Sequence, residues 1–144
     1  MIGRLLLAML LTGCIASVVL AEEQFLVEFE LWLDGELVGT PVLIVEAGEF
    51  ASLEKMGEPH YRIEVLVEPS ANSIMPLDMA WLHVTVEQLG SDGWEALVDS
   101  MMGAREGEPT VLAVTEDDRL ATPEAASLYL QARTSRLKPG ERAD

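Results

Sequence analysis

The chain reads as an all-β protein: an antiparallel β-sandwich of roughly seven to nine short strands that follows a signal peptide. Three observations predict this class. Apolar residues alternate with polar ones at a period of two in several separate stretches. Turn-forming Asp-Gly and Gly-x-Pro sequences punctuate those stretches. The apolar runs between them are β-branched and too short for helices.

Each element follows in order. In "FLVEFELWL", Phe25, Val27, Phe29, Leu31 and Leu33 alternate with Leu26, Glu28, Glu30 and Trp32, a strand pattern. Asp34-Gly35 accepts the positive φ of a type I′ turn, and Glu36-Leu37-Val38 returns the chain as a hairpin. Pro41 marks a strand start or edge, and Val42-Leu43-Ile44-Val45 reads as a buried strand. Ala47-Gly48-Glu49 turns the chain into a short strand beginning Ala51-Ser52-Leu53-Glu54. After Gly57-Glu58-Pro59, Tyr61, Ile63, Val65 and Val67 face one way, and His60, Arg62, Glu64 and Glu68 face the other. "PSANSIMPLD", residues 69–78, is a polar loop. In "MAWLHVTVEQL", Ala80, Leu82, Val84 and Val86 alternate with Trp81, His83, Thr85 and Glu87. Ser91-Asp92-Gly93 turns, and Gly107-Glu108-Pro109 introduces the strand "TVLAVTED".

Two segments leave an α+β alternative open. Residues 94–102 fit a strand or a short helix. At 123–135, Thr122-Pro123-Glu124 has the form of a helix start, with a capping threonine before a proline. "SLYLQARTSRL" nevertheless alternates Leu128, Leu130 and Ala132 against Tyr129, Gln131 and Arg133, so a final strand is the leading expectation. Residues 39–49 and 107–117 share Gly-x-Pro, an aliphatic strand and trailing acids, which either related halves or chance would produce.

The first residues have the layout of a leader. Arg4 precedes an apolar run from Leu5 to Leu20, and Glu22-Glu23 ends it. The run is short against the about 20 residues that span a bilayer. Val19-Leu20-Ala21 suits signal peptidase cleavage after Ala21, which divides the chain into a signal peptide at 1–21, one domain at 22–137 and a flexible tail at 138–144. Leu11-Thr12-Gly13-Cys14 resembles the lipobox of bacterial lipoproteins and makes Cys14 a candidate lipidation site. The residues after Cys14 stay apolar, and this favours the cut at Ala21. The expected location is therefore periplasmic or secreted, with a membrane-anchored lipoprotein as the alternative.

Charge narrows the partners. The formal charge is −16, from 25 acidic and nine basic residues. Loss of residues 1–21 removes Arg4 and no acid, so it becomes −17. Such acidity argues against nucleic acid and against anionic lipid surfaces. A membrane enters only if Cys14 is lipidated or the leader is retained. The same cut removes the only cysteine and leaves stability to an apolar core.

The segment "GTPVLIVEAGEFASLEKMGEPHYRIEVLVEP", residues 39–69, resembles the strand–turn–strand module of bacterial secretins. The matching positions are Pro41 to Val45, Gly48, Ala51 to Leu53, and Leu66 to Pro69. The resemblance implies a periplasmic β-module of similar local topology. The chain is too short for a secretin and lacks its membrane-crossing strands, so no channel activity follows.

No motif selects a reaction. His60 and His83 lack H-x-H or H-x-x-x-H spacing for zinc. Thr115-Glu116-Asp117-Asp118 has oxygen ligands without the alternation of a calcium loop. Ser52, Ser70, Ser73, Ser91 and Ser100 sit in no nucleophile elbow. The sequence thus predicts no catalytic, cofactor-binding or metal residue, and no cofactor. Trp32 and Trp81 lie opposite the apolar rows and are the candidate contacts for an unknown protein partner. The expected role is a non-enzymatic accessory or binding module of the bacterial envelope. The alternatives are a lipid-anchored structural lipoprotein or a small hydrolase with an unrecognised site.

Overall fold

A computed structural model describes residues 23–69 and 78–137. The leader with Cys14 and the Ala21 cleavage position, residues 70–77 of the polar loop and the tail at 138–144 lie outside the described residues. The strands are β1 (Gln24–Leu33), β2 (Glu36–Gly39), β3 (Val42–Glu46), β4 (Phe50–Lys55), β5 (Tyr61–Pro69), β6 (Met79–Gly90), β7 (Gly93–Arg105), β8 (Pro109–Val114) and β9 (Leu128–Leu137). They form an antiparallel sandwich. A five-stranded sheet runs β2-β1-β9-β8, with β3 beside β1, and a four-stranded sheet runs β4-β5-β6-β7.

The connections make a meander. β2 and β3 share one edge of β1, against Leu31–Leu33 and Gln24–Glu28 respectively. Between them, Pro41 has no N–H for the ladder, but its carbonyl still accepts the Phe29 N–H at 2.9 Å. Every later strand lies beside its predecessor, within a sheet or across the sandwich. β9 then pairs along the whole of β1, from Gln24↔Leu137 to Leu33↔Leu128.

The chain passes between sheets twice, and both turns use the same bonds. At β3–β4, the Glu49 N–H donates to the Glu46 carbonyl, and Gly48 takes φ 77°. At β7–β8, Glu108 donates to Arg105, and Gly107 takes φ 79°. Each turn also donates once to either sheet. Ala47 bonds the Glu23 carbonyl at the head of β1 and Gly48 bonds Val67 in β5. Glu106 bonds the Asp78 carbonyl just before β6, and Gly107 bonds Thr134 in β9. One end of the sandwich is therefore stitched at both edges.

The core is the meeting of the two alternating rows. Phe25, Val27, Phe29 and Leu31 of β1, with Leu128, Leu130 and Ala132 of β9, face Tyr61, Ile63, Val65 and Val67 of β5 and Leu82, Val84 and Val86 of β6. All are buried, and each large aliphatic side chain so placed contributes about 1.5–3 kcal/mol.

The all-β reading holds over its α+β alternative: residues 94–102 belong to β7 and most of 123–135 to β9, the final strand that alternation predicts. Thr122 does accept the N–H of Ala126 at 2.9 Å, but the turn ends at once because Ser127 bonds the Val114 carbonyl through both its N–H and its hydroxyl. The Val42–Val45 segment is not buried throughout. It is an edge strand in which Leu43 and Val45 point inward while Val42 and Ile44 are half exposed. The repeat at 39–49 and 107–117 does not build equivalent halves, since β3 shares a sheet with β1 and β2, whereas β8 leaves the sheet of β6 and β7.

Candidate functional site

Two surfaces stand out, and alternation builds the first. On the outer face of the four-stranded sheet, Phe50 pairs with Leu66, Leu66 with His83, and His83 with Met101. One row thus crosses β4, β5, β6 and β7 in register, apolar on three strands and carrying the His83 ring on β6. Phe50 is 60% exposed, Met101 53% and Trp81, one step along β6, 43%. The Phe50 and His83 rings meet edge to face at 6.3 Å, and His83 Nε2 lies 2.6 Å from Asp99 Oδ1. Glu64 and Glu68 flank the row on β5. The neighbouring arginines are engaged: Arg62 donates to Glu87 at 2.8 Å and stacks 4.4 Å from the Trp94 ring, and Arg105 pairs with Asp78 at 3.5 Å.

The two expected tryptophans do not come together. Trp81 belongs to this row's neighbourhood, whereas Trp32 sits on the outer face of the five-stranded sheet, beside Leu37 and Tyr129. Its ring is half buried, and its indole N–H donates to Glu30 Oε1 at 2.7 Å. A single flat partner cannot cover both. His60 and His83 both face outward, as their positions in the alternation imply; His60 Nε2 lies 3.0 Å from Glu54 and its ring meets Trp94 at 5.2 Å. Residues 115–118 are exposed in the connection between β8 and β9. No three potential metal ligands gather among the described residues.

The second surface is a cleft at the unstitched end, with a volume of about 510 Å³. Leu33, Val38, Leu97, Val114 and Leu128 form its apolar walls, and Asp34, Glu36 and Glu58 bring carboxylates. Asp34 is held there by its backbone, whose N–H donates to the Ser127 carbonyl at 2.9 Å, and it takes φ 49° in the tight turn. Beside the cleft, Lys55 Nζ donates to the Val38 carbonyl at 2.8 Å and lies 5.9 Å over the Tyr61 ring. Burial pushes the Tyr61 hydroxyl above its ordinary pKa of 10.0.

Sequence reasoning missed Phe50, Met101, Val38 and Leu97. Extending the Ala51–Glu54 alternation back by one residue places Phe50 on the outer face. The signals for Val38 and Leu97 are the doublets Leu37-Val38 and Leu97-Val98, which break alternation as a bulge does. Comparison with protein-family models, with curated protein sequences and with solved structures finds no match to this chain.

Proposed function

We propose that the chain is an exported, acidic β-domain of the bacterial cell envelope that works without catalysis, as an accessory module that holds a protein partner. The row from Phe50 to Met101 supports this reading best. A stripe that crosses every strand of a sheet, apolar at Phe50, Leu66 and Met101 with the His83 ring between them, gives a partner contiguous area, with Trp81 as its aromatic anchor. Glu64 and Glu68 beside it, on a chain of charge −16, favour a partner whose contact surface is basic around an apolar centre. The leader pattern and the secretin-like segment at 39–69 support the envelope setting.

The test is site-specific crosslinking in cells. A photoreactive residue at Trp81 is expected to give one defined adduct, lost on Phe50→Ser/Met101→Ser, while the same residue at Trp32 gives none. Equal adducts from both positions, or none from Trp81, would refute the sheet-face reading.

A second reading, an anchored lipoprotein, rests on the Leu11-Thr12-Gly13-Cys14 match. Intact mass and membrane fractionation separate the two. A soluble species beginning at Glu22 supports the free domain, and an acylated species beginning at Cys14 in the membrane pool supports the anchored one.

A further inference from the structure

The cleft at the unstitched end is shaped by two irregularities, one in each sheet. In the first, Leu31 pairs with Gly39 and Trp32 with Leu37, so Val38 is an extra residue in β2. In the second, Val86 pairs with Val98 and Glu87 with Ala96, so Leu97 is an extra residue in β7. These are the two bulges of the ladders described, and the two unpaired residues, Val38 and Leu97, both wall the cleft. A bulge re-aims a side chain and increases local twist. Here both Leu97 and its neighbour Val98 pack toward the core instead of alternating. Two inserted residues, one from each sheet, thus converge on one space.

The contents of the cavity follow from its walls. Its volume falls within the usual range for small-molecule sites, about 300–1,000 Å³, and the mouth of a β-barrel or sandwich is a usual place for one. Five aliphatic side chains call for an apolar body. Asp34, Glu36 and Glu58 call for positive charge, and none of their three carboxylates has a hydrogen-bond or ion-pair partner among the described residues. Lys55, beside the cleft, donates to the Val38 carbonyl. Two loops at this end also carry apolar side chains that cover nothing. Met56, beside the Glu58-Pro59 wall, is 73% exposed, and Leu120, in the connection that leads to Ser127, is 72% exposed.

We propose that this cleft binds a small amphipathic cation: an ammonium group on an alkyl or aromatic body, with the body between Val38 and Leu97 and the charge at the Asp34, Glu36 and Glu58 rim. This site is separate from the sheet face that carries Trp81, and its test stands apart from that reading.

The probe is octylammonium, titrated calorimetrically into the full chain, with octanoate and octanol as shape-matched controls. Saturable one-to-one binding of octylammonium is expected, with octanoate weaker by about tenfold or more. In Asp34→Asn/Glu58→Gln, octylammonium affinity should fall about tenfold while octanol binding stays unchanged. Asparagine tolerates the left-handed backbone at position 34, so the turn is preserved. Methyl chemical shifts give a readout that needs no variant: the octylammonium-induced changes should centre on Val38, Leu97, Val114 and Leu128. Equal binding of octanoate, no saturation up to about 10 mM, or shifts centred on Leu66 and Met101 would overturn the proposal.

Discussion

Gly39 lies directly against the Tyr61 hydroxyl, so closely that a β-carbon at position 39 would collide with it. The ring belongs to the floor of the core and the glycine to an edge strand of the opposite sheet, so the pair fixes how near the two layers approach there. The Tyr61 hydroxyl is buried with no hydrogen-bond partner. Gly39→Ala is therefore expected to destabilise the fold by about 1–3 kcal/mol through overpacking. Tyr61→Phe removes an unsatisfied group and should be neutral or stabilising by about 1 kcal/mol. Urea unfolding of both variants and of the double variant checks this, and the double should recover much of the loss caused by Gly39→Ala.

The same hydroxyl gives an alkaline signature. Burial raises its pKa in the folded state above 10.0, the ordinary value it regains on unfolding. Below pH 10 the proton is bound in both states and the group adds no pH dependence. Above it, the unfolded chain releases the proton first, so stability falls as pH rises. Melting temperatures measured across this range should decline more shallowly in Tyr61→Phe than in the parent.

Arg62 joins β5 to both later strands of its sheet, through the 2.8 Å bond to Glu87 and the 4.4 Å stacking on Trp94. Its side chain keeps some solvent contact, so the gain is modest. Arg62→Ala should cost about 1 kcal/mol. Arg62→Lys should recover only part of it, because an ammonium lacks the planar face that stacks. Quenching of Trp94 fluorescence should change in both variants.

Screening should stabilise this chain. With 25 acidic residues against nine basic ones, folding brings like charges together. Raising sodium chloride from about 0.02 to 0.5 M should increase the melting temperature, since the Debye length falls below the spacing of surface carboxylates. An unchanged value would mean that the paired arginines already offset the repulsion.

Alternation made most of the fold legible. The buried rows of β1, β5, β6 and β9 follow the period-two pattern residue for residue, and Asp34-Gly35 takes the positive φ at both positions that its turn requires. The closing pairing of β9 with β1 was not legible, because register between distant strands depends on which rows meet across the core. The cleft was hidden for a related reason. Val38 and Leu97 reach it by breaking alternation, and an apolar doublet in a strand does not say which of its two residues is left unpaired. Trp32 and Trp81 were correctly read as outward-facing, but outward means opposite directions in the two sheets.

The pairing of Gln24 with Leu137 brings the start of β1 and the end of β9 side by side, at the end of the sandwich stitched by Gly48 and Gly107. The cleft opens at the other end, about 30 Å away along the ten residues of β1. The domain thus has a proximal pole and a distal one. The first and last strand ends, Gln24 and Leu137, belong to the proximal pole, and the cleft between Val38 and Leu97 belongs to the distal one.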